Sequence, residues 1–409
     1  MFHLSREHLA RAARRVGMPM LATIAALLVG AIGVAALGES PWAAARTVVD
    51  AGFSCTTEYC NLGSTLSLAA PIIFCALGAV VVLRAGLFSI GQEGQYALGG
   101  LAAAVVGAWV NAPGGIHPIL ALIASATAGA LWGLIPAVLR IFLGVNELIV
   151  TIVLNTMAGL LLNFLVNYPL RAEASSVGYT PSIAESARLP VWDTSTKFGL
   201  GFVLAIIACG AVWFHLNRTP AGYEQRMSGE APLFAHYVGM SSKKAVLRAG
   251  LIGGALAGLG GGVQVLGVNY RVIEGFSDGT GFTGLTAAIL GGVSAIGAGI
   301  VGTLYAGITV GAVNGLQIQL SVPREIGSTV LALMIVFVAA QHPLLTRIER
   351  WRDRRRANQL IDEGRAEALV AGVSPRSEPP DGSSSGVGTP DRAPSDNGKP
   401  RATRTEAQP

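Results

Sequence analysis

The residues of this chain that could do chemistry are polar side chains set inside long apolar runs. One group is Gln92, Glu93 and Gln95, within GLFSIGQEGQYALGG. Polar groups inside a membrane are costly and face a bundle interior or an aqueous path. A carboxylate and two amides in a glycine-flanked turn therefore suggest a broken or irregular helix beside a cavity. The plainer alternative is a helix start, with Gln92 and Glu93 satisfying first-turn N–H groups; both can hold together. A second group opens with Asn146 and Glu147 in GVNELIVTIVLN and continues through Thr151, Asn155 and Asn163. Asn146 and Glu147 suit a helix cap. Glu147, Thr151 and Asn155 recur every four residues, which sets them on one stripe. A polar stripe on an apolar helix faces other helices, where it either touches solute or binds helices together. Phe88, Asn146 and Asn155 would suit a nucleobase through stacking and amide hydrogen bonds. The same groups would suit a sugar.

The elements that position these groups are membrane helices. Of the 409 residues, 51% are hydrophobic and only 13% charged, against roughly 25% charged in a typical soluble domain. Lipid replaces the solvated face that a soluble chain of this length needs. The 53 glycines let membrane helices approach closely. With about 20 apolar residues per crossing, the expected spans are 18–38, 64–83, 88–110, 117–139, 147–167, 198–216, 249–268, 282–297, 299–320 and 326–342. The fold class is thus all-α, a polytopic transmembrane bundle of about ten helices. Residues 282–320 contain no charged break, so glycines must mark the turn there, between two helices or between one helix and a re-entrant piece. Lys and Arg concentrate before 18–38, at Arg84 and Arg140, in the 217–247 loop and after 342. That bias places both termini in the cytoplasm.

The domain plan follows: a basic cytoplasmic N-terminus (1–17), a transmembrane domain (18–342), a basic helix (343–373) and a tail (374–409). The tail is rich in Pro, Ser, Gly and Asp and is expected to be disordered. The basic helix would lie on anionic lipid or end as a plain solvated helix. The Arg residues before 18–38 resemble the start of a signal peptide, but the run spans a bilayer and is read as a retained helix. Cys55 and Cys60 share a polar loop on the outer side, where a disulfide is permitted; two free thiols are the other reading.

Several classes are disfavoured. Net charge is +5, yet the basic residues sit between and after apolar runs, so no nucleic-acid partner is expected. No P-loop, H-E-x-x-H or G-x-S-x-G is present, and no metal or other cofactor is expected. An ion-coupled secondary transporter would use membrane-embedded acids, for which Glu93 and Glu147 are the candidates.

The 217–247 loop carries one more feature. Glu230 to Met240 reads as a short helix with Pro232 in its first turn and Gly239 at its end. Leu233, Phe234 and Tyr237 share a face, which suits docking to a partner or packing on the protein's own membrane domain.

The stretches AGLFSIGQEGQ, GVNELIVTIVLN, TPAGYEQR, GEAPLFAHYVGM and GFTGLTAAILGG, in this order, resemble ABC-importer permeases of the ribose and nucleoside type. GVNE–TIVLN is most similar to the branch of nucleoside permeases that work with basic-membrane-protein lipoproteins. The resemblance covers roughly residues 64–342. It implies a type II-like importer permease fold and nucleosides as solute, with simple sugars in neighbouring branches. It also implies a separate ATPase subunit, a second and non-identical permease, a solute-binding lipoprotein and a place in the bacterial cell membrane. Glu230, Pro232, Leu233, Phe234, His236, Tyr237 and Gly239 match the family's coupling helix, which meets the ATPase. Thr283 stands where the family often carries an acidic residue.

Overall fold

The computed structural model describes residues 40–55, 61–173 and 177–319, with Ile32 and Ala35 as two further helical positions. The expected span 326–342, the basic helix and the tail lie outside the described residues, as does nearly all of 18–38. In chain order the helices are α1 (Pro41–Phe53), α2 (Asn61–Arg84), α3 (Gln92–Trp109), α4 (Ile116–Leu143), α5 (Glu147–Asn167) and α6 (Leu200–Arg218). They continue as α7 (Pro220–Glu230), α8 (Pro232–Tyr237), α9 (Ser242–Gln264), α10 (Thr280–Leu290) and α11 (Ala295–Gly311). Helices α9 and α11 run on as π-helical turns, Val265–Asn269 and Ala312–Gln319. Six of these, α2, α4, α5, α6, α9 and α11, are long and apolar enough to cross a membrane.

Hydrophobicity around the helix axis decides which helices sit inside. Helix α2 is apolar on every side, and nearly every residue from Ala69 to Val82 is buried. A helix of that kind belongs in the core. Helices α4, α5 and α6 instead expose Ile, Leu and Phe side chains such as Ile123, Leu160 and Phe214, the outward apolar face that lipid covers.

Helix α9 reaches the core by a different device. Gly250, Gly254, Gly258 and Gly262 recur every four residues and lie against Gly133, Gly129 and Ser125 of α4. A β-carbon added at Gly133 would sit 2.5 Å from the Gly250 carbonyl oxygen, and one at Gly129 would sit 2.7 Å from the Gly258 α-carbon. The two backbones touch because neither helix has side chains on that line. Ser125 Oγ donates to the Gly258 carbonyl at 2.5 Å and fixes the register.

Residues 282–319 resolve as two helices, with the turn at Gly291–Ser294 rather than at 298. Helix α10 has only 11 residues, about 16 Å at 1.5 Å per residue, or half of a ~30 Å hydrocarbon core. It is a half-helix and not the full span expected over 282–297. The expected span 88–110 also starts late, at Gln92. A further helix, α1, occupies ground read as loop and packs on α11, with Gly52 against Gly307 and Val48 against Gly311.

At the end opposite the 217–247 loop, strands β1 (Val191–Asp193) and β2 (Phe198–Gly199) form an antiparallel hairpin. Hydrogen bonds from Thr196 and Ser195 hold the half-buried Asp193 carboxyl down at about 2, so the turn keeps its charge. Cys55 is disulfide-bonded, and Cys60 lies outside the described residues. Cys75 and Cys209 are free thiols.

The glycine line makes a prediction with its own control. Gly129→Leu is expected to lower thermal stability in detergent by at least about 1 kcal/mol through overpacking. Gly114→Leu, at a position with nothing within 4 Å, is expected to leave it unchanged. Equal melting curves for the two variants would contradict the close α4–α9 approach.

Candidate functional site

The site begins with backbone that is not helical. After α2 ends at Arg84, residues 85–91 run irregularly before α3 starts. Such backbone survives at membrane depth only where protein groups satisfy it. Helix α5 supplies those groups. Thr151 Oγ1 accepts the Ile90 N–H at 3.3 Å, and Asn155 Nδ2 donates to the Ile90 carbonyl at 2.8 Å. Asn155 Oδ1 accepts the Gly94 N–H at 3.0 Å. The lower part of the polar stripe is therefore a clamp on the unwound chain. Gly86 opens this stretch at φ +76°, with room for no β-carbon because the Gly229 α-carbon would lie 2.7 Å away.

A second irregular segment meets the first. Beyond Tyr270 the chain turns back into the bundle. Gly275 N–H donates to Asn163 Oδ1 at 3.2 Å, and Phe276 stacks on Tyr96 with ring centroids 5.1 Å apart. The segment delivers the N-terminus of α10 to Glu93. Glu93 Oε1 accepts from the Ser277 hydroxyl and from the Gly279 N–H at 2.8 Å. Its Oε2 accepts from the Gly281 N–H at 2.7 Å and the Phe282 N–H at 3.3 Å. The first N–H groups of a helix have no partner of their own and carry the positive end of its dipole. One buried carboxylate answers both. Glu93 thus satisfies first-turn N–H groups, but those of α10 rather than of its own helix.

Between these parts lies a cavity of about 300 Å³. Glu93, Phe276, Ser277 and Phe282 form one wall, and Asn155, Gly159 and Asn163 of α5 the other. Asn155, Gly159 and Asn163 extend the four-residue stripe of Glu147 and Thr151, so one helix face changes task along its length.

The remaining expected site residues sit elsewhere. Asn146 caps α5, its Oδ1 accepting the Leu148 N–H at 3.0 Å. Glu147 is buried and paired with Arg140 at 3.2 Å. Gln92 and Gln95 are buried beside the start of α3, and neither amide atom of Gln92 has a hydrogen-bond partner among the described residues. Phe88 is half-exposed on the irregular stretch. None of these lines the cavity. Thr283 donates back to the Gly279 carbonyl. Sequence reasoning missed Gly159, Phe276, Ser277 and Phe282. The continued four-residue spacing pointed to Gly159; nothing local pointed to the other three.

Within the 217–247 loop the helix expected over Glu230–Met240 is present as α8, shortened to Pro232–Tyr237 and preceded by a further helix, α7. Glu230 ends α7, and Pro232 opens the six-residue α8. Gly239, at φ +81°, closes α8 with the Gly239 N–H on the His236 carbonyl. Leu233, Phe234 and Tyr237 are 76%, 51% and 86% exposed, so they do not pack on the membrane domain.

The chain matches the family described as branched-chain amino acid transport system / permease component over residues 61–339, and it belongs to that family. It is 35% identical over 333 residues to the guanosine ABC transporter permease protein NupP of Bacillus subtilis, covering 80% of this chain and 94% of that protein. It is 31% identical over 332 residues to the glucose ABC transporter permease protein TsgB13 of Haloferax volcanii, covering 79% and 86%. It is 30% identical over 339 residues to the nucleoside ABC transporter permease protein NupB of Lactococcus lactis, covering 80% and 92%. No solved structure matches the chain. The chain is an ABC transporter permease, a transport subunit and not itself an enzyme.

Gly159 offers the sharpest probe of the cavity, because a β-carbon there meets nothing within 4 Å. Gly159→Leu is expected to fold and assemble normally while cutting uptake at least tenfold, by about 1.4 kcal/mol or more. Normal uptake with normal assembly would show that solute does not use this cavity. Asn155 is a poorer probe, since its loss also releases Ile90 and Gly94.

Proposed function

We propose that the chain translocates nucleosides as one permease of a bacterial ABC importer, and that the cavity between Glu93 and α5 lies on the solute path. The observation that carries this reading is a cavity of about 300 Å³, mostly apolar with Glu93, Asn155, Asn163 and Ser277 among its lining, set about one half-helix, ~16 Å, from the loop end of the bundle. That is the lower end of ordinary ligand-pocket volumes and large enough for a small polar solute. Asn155 and Asn163 offer remaining amide capacity to hydroxyls or base edges, and Phe282 offers a ring face. Glu93, already engaged by four donors, holds the wall in place. Thr151 supports it from behind through Ile90, Asn146 and Glu147 belong to the framework, Gln92 and Gln95 are buried next to Glu93, and Phe88 stays half-exposed. The guanosine and nucleoside transport named for NupP and NupB support the solute class; the glucose transport named for TsgB13 supports the alternative of a simple sugar.

The partners follow from the exposed surfaces. The end bearing Arg84, Arg140, Arg218 and Arg248 is cytoplasmic by the positive-inside bias, and both termini lie there. Helix α8 docks an ATPase subunit through Leu233, Phe234 and Tyr237, with Pro232, His236 and Gly239 shaping it. Glu230 stands at its entry. A second, non-identical permease meets the outer face of α5, where Met157, Leu160 and Phe164 are exposed. A solute-binding lipoprotein delivers from the opposite end, and lipid of the plasma membrane covers α4 and α6.

Reconstitution with the ATPase and the binding protein tests this reading through solute-stimulated ATP hydrolysis. Guanosine or adenosine is expected to stimulate and glucose is not; the reverse pattern would replace nucleoside by sugar. Phe234→Ala with Tyr237→Ala is expected to weaken ATPase binding by at least ~2 kcal/mol and abolish stimulation. Unchanged ATPase affinity would remove the docking role of α8.

A further inference from the structure

Resting on the reading that α8 meets the ATPase, we propose that α10 is a lever between the ATPase face and the cavity, and that Arg84 is the positioning residue joining it to the loop. The two ends of α10 are held by different side chains. Its N-terminus rests on Glu93 in the cavity wall through the Ser277 hydroxyl and the N–H groups of Gly279, Gly281 and Phe282. Past its C-terminus, Arg84 Nε donates to the Val293 carbonyl at 2.8 Å. The same guanidinium turns its Nη1 to Glu230 Oε1 at 3.1 Å. Glu230 is the last residue of α7, separated from α8 by Ala231 alone. One planar fork therefore touches the coupling loop and the lever together, a geometry Lys cannot copy.

The turn beyond α10 is built to be held rather than to hold itself. Gly292 and Val293 lie in succession at φ +68° and +52°. A β-branched residue in the left-handed region is strained, and such strain persists where surrounding contacts enforce it. Arg84 provides that contact. The Arg84–Glu230 pair is partly exposed and screened by solvent, so it adds little to stability; its consequence is positional. Helix α7 is also tied to α2 by Gln225 Nε2, which donates to the Val81 carbonyl at 2.6 Å. A displacement at α8 thus reaches α7, Arg84, the strained turn and α10, and then the Glu93 wall. Movement of α10 along its axis would pull the donors of Ser277 to Phe282 away from Glu93 and open that wall.

The test uses the full complex in proteoliposomes and measures solute imported per ATP hydrolysed. For Arg84→Ala this ratio is expected to fall at least about fivefold, the lower range of allosteric coupling, with ATPase affinity unchanged. A merely structural role would lower uptake and hydrolysis together and leave the ratio at the wild-type value, and that result overturns the proposal. If Arg84→Ala does not assemble, Arg84→Lys is read in the same way: a lowered ratio supports the lever, a wild-type ratio overturns it. A cycle with Glu93→Gln adds a second readout. Two residues acting through one helix should show a double variant no worse than the worse single variant, and additive losses overturn the proposal. Failure of the docking reading is distinguishable, because it appears as unchanged ATPase affinity in the Phe234 and Tyr237 double variant.

Discussion

A helix that starts inside a membrane leaves its first N–H groups without water, and a carboxylate buried there is equally costly. In this protein each resolves the other. Glu93 collects the donors at the start of α10, and α10 can be a half-helix because Glu93 is there. Most of what is unusual about the bundle follows from that pairing. Segment 271–279 must descend from the far end to deliver the donors. Residues 85–91 must stay unwound so that α3 presents Glu93 at the right depth. Helix α5 must carry Thr151 and Asn155 to satisfy the unwound chain. The cavity is the space left where these three demands meet.

The surrounding packing makes the arrangement rigid enough to be used. Helices α4 and α9 approach with backbone against backbone along a line of small residues. Helix α2, apolar on all sides, fills the centre. Against this block, α5 is the outer wall of the cavity: Leu154, Ala158 and Leu162 beside its polar stripe are buried, while Met157, Leu160 and Phe164 on its outer face are exposed.

Much of this was legible in the sequence because it is written locally. Apolar runs of membrane length located the six helices long enough to cross among the described residues. The four-residue spacing of Glu147, Thr151 and Asn155 identified a face, and Pro232 and Gly239 bounded α8. What was not legible depends on partners far apart in the chain. Glu93 and Phe282 are separated by 189 positions, and no periodicity connects them. Segment 271–279 reads as an ordinary polar loop, and only its pairing with Asn163 and Glu93 shows that it enters the bundle. The extent of α10 was hidden for a related reason. The apolar run from Phe282 onward is long enough to cross, and the turn at Gly291 and Gly292 looks like any other pair of glycines in a glycine-rich stretch.

The central claim is that the Glu93–α5 cavity holds the imported solute, and Gly159→Cys tests it most directly. In the assembled complex, a water-soluble maleimide should modify this thiol faster than the background measured on the complex without the substitution. A nucleoside delivered by the binding protein should slow the modification, while an unrelated solute should not. Labelling at the background rate, or labelling that ignores the nucleoside, would contradict the assignment.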